Sequence, residues 1–158
     1  KVISSFKWFK EHVWAFYLCL SLAMSFLWMI IAKDYYTYNH NFMSIGGISL
    51  FPLIGWTLGL FIVYAVFKFF YHFKKKTNIF QLLLFSVFYW SLLIAAETIG
   101  YHFLNIKNIA AISYSGIPIC DCLHAPAWMK VAYFSMGPLF FLICSFINSH
   151  YSKARNLV

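Results

Sequence analysis

The sequence predicts an all-α integral membrane protein. The expected fold is a four-helix bundle with both termini cytoplasmic and a long, apolar, re-entrant loop between the third and fourth helices on the outer face. Three observations carry this. Of 158 residues, 63% are hydrophobic and only 10% charged, with mean hydropathy +0.74, whereas a soluble domain carries about a quarter of its residues as Asp, Glu, Lys and Arg. The apolar residues gather into runs of about 20, the length that crosses a hydrocarbon core as a helix. The basic residues fall in the gaps between those runs, mostly in alternate gaps.

The spans follow in chain order. Residues 13–32 form the first run, 48–70 the second, 79–103 the third and 129–147 the fourth, within a single transmembrane domain covering 1–158. Irregular backbone cannot face lipid, so each run is expected as a helix. The first run is long enough to span, so it reads as a span and not as a cleavable signal. Lys1, Lys7 and Lys10 precede it, Lys68, Lys74, Lys75 and Lys76 lie at the second linker, and Lys153 and Arg155 follow the last run. These nine basic residues share one side, and only Lys33, Lys107 and Lys130 lie on the other. The positive-inside rule therefore makes the nine-residue side cytoplasmic. The segments 33–44 and 104–128 then face the periplasm, the exterior or a lumen. His12, His72 and His150 fall at the inner rim, and His40, His102 and His124 at the outer one.

The outer segment 104–128 runs far beyond the usual connection of about four to six residues. It is also apolar, with Ile106, Ile109, Ile112, Ile117 and Ile119. A loop of that composition is expected to dip among the helices and cap the bundle.

Glu97 is the single ionisable residue well inside a predicted span. A carboxylate in hydrocarbon costs several kcal/mol unless it is protonated, paired or wetted by a cavity, so Glu97 is expected to point into the bundle as a proton donor or acceptor. Tyr101, at i+4, shares its face, while His102, at i+5, turns about 140° away unless the chain bends at Gly100.

Cys120, Asp121, Cys122, Leu123 and His124 concentrate half of the four cysteines and one of the four acidic residues in five positions. Pro118 and Pro126 bias their neighbours toward extended backbone, which would put Cys120, Cys122 and His124 on one face. Two thiolates and an imidazole suit zinc or copper, but the spacing matches no common structural-zinc pattern, so a metal is the minor reading. A disulfide between Cys120 and Cys122 needs a tight turn, because residues two apart in a strand are separated by about 6.6 Å. Asp121 would point the other way, and with Glu97 it would form an acid and base pair only if it turned inward.

Gly55 and Gly59 form a small-xxx-small pair that reads as a packing seam, within the bundle or between copies in a homo-oligomer. Pro52 and Pro138 are placed to kink their helices and to shape a cavity. Trp8, Trp14 and Trp128 read as interface anchors, while Trp28, Trp56, Trp90 and the phenylalanines face lipid, the core, or a pocket for a long apolar ligand.

The formal charge of +8 is topological, and no nucleic-acid-binding module is present. The leading expectation is an enzyme acting by acid/base chemistry on a lipid or isoprenoid, with Glu97, Tyr101, His102, Asp121 and His124 as its site and membrane lipids as partners. The alternatives are a non-enzymatic subunit or assembly factor of a larger membrane complex, and a metal-dependent redox or copper-handling protein using Cys120, Cys122 and His124. Transport is disfavoured, because a permeation path needs more intramembrane polar groups than Glu97.

Overall fold

The computed structural model describes the backbone of residues 2–71 and 79–155, and the side chains of 13–71 and 79–150. The side chains of Lys1, Lys7, Trp8, Lys10, His12, His72, Lys74, Lys75, Lys76, Lys153 and Arg155, on which part of the topology rests, lie outside the described residues.

Four helices form the protein: α1 (Val2–Ala32), α2 (Leu50–Phe70), α3 (Ile79–Thr98) and α4 (Ala127–Arg155). All four are long and apolar enough to cross a membrane, over 13–35, 50–70, 79–103 and 127–150. The architecture is that of an integral membrane protein. The fourth helix extends past both ends of the run expected from hydropathy, because Asn148, Ser149 and His150 lower the average without ending the backbone ladder. Between α1 and α2 a short 3₁₀ turn, Lys33–Tyr35, leads into a hairpin of β1 (Ser44–Ile45) and β2 (Ile48–Ser49). Gly46 and Gly47 both take positive φ there (58° and 79°), the conformation that a tight two-residue hairpin turn requires.

The helices pair as two hairpins, α1 against α2 and α3 against α4, while α2 and α3 touch little. The core toward the α2–α3 linker is aromatic. Tyr17, Tyr64, Phe85, Phe140 and Phe141 are all at most 1% exposed, with Phe85 and Phe141 stacked at 4.7 Å. Tyr17 donates to Asn148 Oδ1 (2.6 Å), Asn148 donates to Tyr64 Oη (3.3 Å), and Lys68 Nζ lies 5.0 Å from the Tyr17 ring centre. That satisfies the polar groups where these three helices meet.

Backbone exceptions are answered by side chains. Pro138 has no N–H for the Phe134 carbonyl, and the Trp90 indole donates to that oxygen instead (2.8 Å). One turn away, Gly137 lies so close under the Tyr89 ring that no Cβ would fit, and Tyr89 Oη donates to the Tyr133 carbonyl (2.8 Å). The close helix contact therefore belongs to Gly137 in α4. Gly55 and Gly59 meet nothing within 4 Å of an added Cβ, so within this chain they are not a helix seam.

Candidate functional site

Because α2 and α3 diverge, a cavity of about 470 Å³ opens between them, within the size range of small-ligand sites. Its α2 wall runs from Phe51 to Val63 and its α3 wall from Tyr89 to Tyr101. Each wall spans thirteen residues, twelve helical rises, or roughly 18 Å. Gly55 and Gly59 belong to the α2 wall and Ala96 and Gly100 to the α3 wall, so the glycines make room instead of closing a contact.

Glu97 lines this cavity and is half-buried. Among the described residues its carboxyl makes no hydrogen bond and no ion pair. The usual fate of an intramembrane carboxyl, a bond to a neighbouring helix, is therefore not what happens here. Tyr101 lines the same cavity, as i+4 spacing requires, whereas His102 does not. The ladder past Thr98 widens into a π-helical turn, Ile99–Phe103, with Leu104 N–H donating to the Ile99 carbonyl (3.0 Å). Such single π turns are frequent at functional sites.

Opposite Glu97 stands a network of rings. The Tyr36 hydroxyl oxygen accepts from Trp28 Nε1 (2.8 Å) and Trp56 Nε1 (3.0 Å), and lies 2.8 Å from Tyr133 Oη. Burial pushes Tyr36 up to about 12, with the nearby Glu97 charge adding in the same sense, so its proton stays on at neutral pH. With both lone pairs of Tyr36 filled by indoles, its own O–H must donate to Tyr133. That leaves the Tyr133 proton with no protein acceptor among the described residues, and Tyr133 forms part of the cavity wall. Sequence reasoning missed Tyr36 and Tyr133. The signal was a Tyr with no lipid-interface role flanked by two inward tryptophans, and only the packing of α4 makes it visible.

The remaining wall comes from the loops. Tyr38 follows α1, and Ile106, Asn108, Leu123 and His124 belong to the segment between α3 and α4. His124 lies flat against Tyr101 (5.1 Å between ring centres, 21° between planes). Its Nδ1 donates to the Tyr114 carbonyl (2.7 Å), and its Nε2 lies 3.3 Å from the Asp121 carbonyl and 3.7 Å from the Asp121 carboxylate. The imidazole thus offers the cavity a ring surface, with its nitrogens engaged by the loop. Asp121 itself is 82% exposed and outside the cavity, so it does not pair with Glu97. His102 Nε2 donates to the Cys120 carbonyl (2.7 Å). Of the five expected site residues, then, Glu97, Tyr101 and His124 converge, while His102 and Asp121 brace the loop from outside.

The run 118–124 is not extended. Cys120 N–H and Asp121 N–H both donate to the Ile117 carbonyl, and Ile117 N–H donates to the Cys122 carbonyl (2.8 Å). Asp121 and Leu123 take positive φ (43° and 57°). This tight turn brings the Cys120 and Cys122 Cα atoms to 5.1 Å and joins their sulfurs in a disulfide. The minor reading of Cys120, Cys122 and His124 as a zinc or copper site is corrected, and the disulfide alternative holds: both sulfurs are bonded to each other, and neither remains as a thiolate ligand. Among the described residues no group of three His, Cys, Asp or Glu side chains is arranged to hold a metal ion.

The loops are also tied to each other. Asn39 N–H donates to the Lys107 carbonyl, Lys107 N–H to Asn39 Oδ1 and Asn39 Nδ2 to the Asn105 carbonyl. Asn108 Nδ2 donates to the Tyr35 carbonyl, and Asn108 Oδ1 accepts from Thr37 N–H. Comparison with protein-family models, curated proteins and solved structures finds no match for this chain.

Proposed function

We propose that the protein is a membrane enzyme that transfers a proton to or from a lipid or isoprenoid substrate, with Glu97 as the acid or base. The observation that carries this reading is a carboxyl that has no hydrogen-bond or ion-pair partner among the described residues, on the wall of a largely apolar cavity. A structural carboxyl inside a bundle is normally satisfied by a neighbour, whereas an acid/base group must stay open to its ligand. The Tyr133 hydroxyl, with a proton to donate in the same cavity, is a second group able to orient a polar end of the substrate. Tyr101 and His124 shape the wall, and His102 and Asp121 act as positioning residues through the loop.

The orientation follows from charge. Nine basic residues against three support a topology with both termini in the cytoplasm and the cavity toward the outer leaflet. The Cys120–Cys122 disulfide fits an oxidising compartment on that side. With both sulfurs so engaged, Cys120 and Cys122 give no thiolate support to the redox or copper-handling reading.

The test is lipid profiling by mass spectrometry of membranes carrying wild-type protein or Glu97→Gln. The expected outcome is a product present with wild type and reduced at least about 10²-fold in the variant, the lower range of general acid/base contributions. Equal lipid profiles, with a folded variant and an intact host phenotype, would instead support the subunit or assembly-factor reading.

A further inference from the structure

We infer that the cleft between α2 and α3 is a lateral portal, through which the apolar chain of the ligand enters from the bilayer and lies with its reacting end at Glu97. The inference rests on the reading of Glu97 given above and adds the route and the ligand class: a lipophile with a slender apolar chain, of isoprenoid or acyl origin.

Four observations support it. Within the membrane-spanning depth the cavity is walled mainly by α2 and α3, the two consecutive helices that pack least against each other, with Tyr133 as the contribution of α4. Both walls lie within membrane-spanning helices, so the medium outside the cleft is acyl chain and not water. The cavity is open and not enclosed, and several of its lining residues are accessible, among them Phe51 (39% exposed), Leu92 (40% exposed), Gly55 and Ala96. The cavity therefore reaches the lipid face. The two walls include the small residues Gly55, Gly59, Ala96 and Gly100 beside larger apolar ones, and a Cβ on Gly55, Gly59 or Gly100 would meet nothing within 4 Å. Close helix packing does not explain those glycines.

The loop end is the other conceivable entrance, and it is obstructed. Tyr38, Ile106, Asn108, Leu123 and His124 stand there, fastened by the Asn39, Asn105 and Asn108 bonds and by the Tyr38–Asn108 bridge. A soluble ligand would have to pass loops held together by backbone hydrogen bonds, whereas a membrane-dissolved chain meets glycine, alanine and apolar side chains such as Phe51 and Leu92.

The test uses the full-length protein in phosphatidylcholine nanodiscs with two photoreactive probes, a diazirine-bearing prenyl alcohol and a diazirine-bearing fatty acid. Label is expected on peptides containing Gly55, Trp56, Leu92 and Ala96, and the stronger of the two probes identifies the chain chemistry. Gly59→Leu with Ala96→Leu should remove that label, whereas Ile62→Trp, on the lipid face of α2 outside the cavity, should leave it unchanged. Glu97→Gln should keep the label while losing turnover. Label spread evenly over the lipid-facing surfaces and indifferent to Gly59→Leu with Ala96→Leu would overturn the portal. If turnover needs Glu97 yet survives filling of the cleft, the portal fails and the acid/base reading stands. If the cleft is labelled but no turnover depends on Glu97, the portal stands and the acid/base reading fails.

Discussion

Replacing Tyr36 by Phe removes one oxygen and three hydrogen bonds, those to Trp28, Trp56 and Tyr133. Interhelical hydrogen bonds in membrane bundles average about 0.6 kcal/mol, so three give about 2 kcal/mol. Trp28 is only 7% exposed, and its stranded N–H adds about 1–3 kcal/mol of unmet hydrogen bonding. Trp56 is half-buried at the cavity, where water can replace the lost acceptor. The expected destabilisation is about 3–5 kcal/mol, large for a single atom. Tyr133→Phe removes only the acceptor of the Tyr36 proton and should cost about 1 kcal/mol. Unfolding by SDS titration in mixed micelles, followed by tryptophan fluorescence, measures both. A Tyr36→Phe cost below about 0.5 kcal/mol, or a larger cost for Tyr133→Phe, would refute the assignment of Tyr36 as acceptor of two indoles and donor to Tyr133.

Four further outcomes are expected. Tyr36 sits at about 12 when folded against 10.0 ordinarily. Its contribution is thus complete below pH 10 and lost as pH rises through about 12, where the unfolded chain has already released the proton; Tyr36→Phe should unfold with a shallower dependence over that window. Gly55→Ala should raise unfolding stability by about 0.5–1 kcal/mol, since a helical glycine is being replaced where its Cβ meets nothing; a loss of that size, or dissociation of a dimer on crosslinking, would restore the packing seam. Gly137→Ala should cost more than about 2 kcal/mol, because the new methyl collides with the Tyr89 ring, as thermal aggregation in detergent would show. Substituting both Cys120 and Cys122 by Ser should cost no more than about 2 kcal/mol, because the ring they close is so short, and intact mass before and after reduction of the wild type should differ by the two added hydrogens.

The spans were legible because hydropathy sums over many residues, so errors at single positions average out and misplace only the ends, as Asn148 to His150 do in α4. Glu97 with Tyr101 was legible for a similar reason: helix periodicity fixes which residues share a face, and both line the cavity. The turn at 117–124 was not. Prolines at 118 and 126 argue for extended backbone, and nothing local announces positive φ at Asp121 and Leu123, both side-chain-bearing residues. Gly55 and Gly59 carry no label that separates a glycine admitting a helix from one admitting a ligand. Gly137, which does admit a neighbouring ring, is invisible until Tyr89 of another helix is placed above it. Tyr36 depends on three partners from three elements, and no pairwise pattern reveals such a node.

The Asn39, Asn105 and Asn108 bonds have a practical side for anyone wishing to tag this protein. Two loops joined through backbone groups behave as one mechanical part, so a peptide inserted between Asn105 and Asn108 would unfasten Asn39 and Tyr38 as well as its own strand. The Gly46–Gly47 tip carries no such ties: neither glycine is pressed by a neighbour, and the adjoining Ile45 is 64% exposed. An epitope placed there should be accepted and, in the orientation proposed above, should be stained from outside on intact cells.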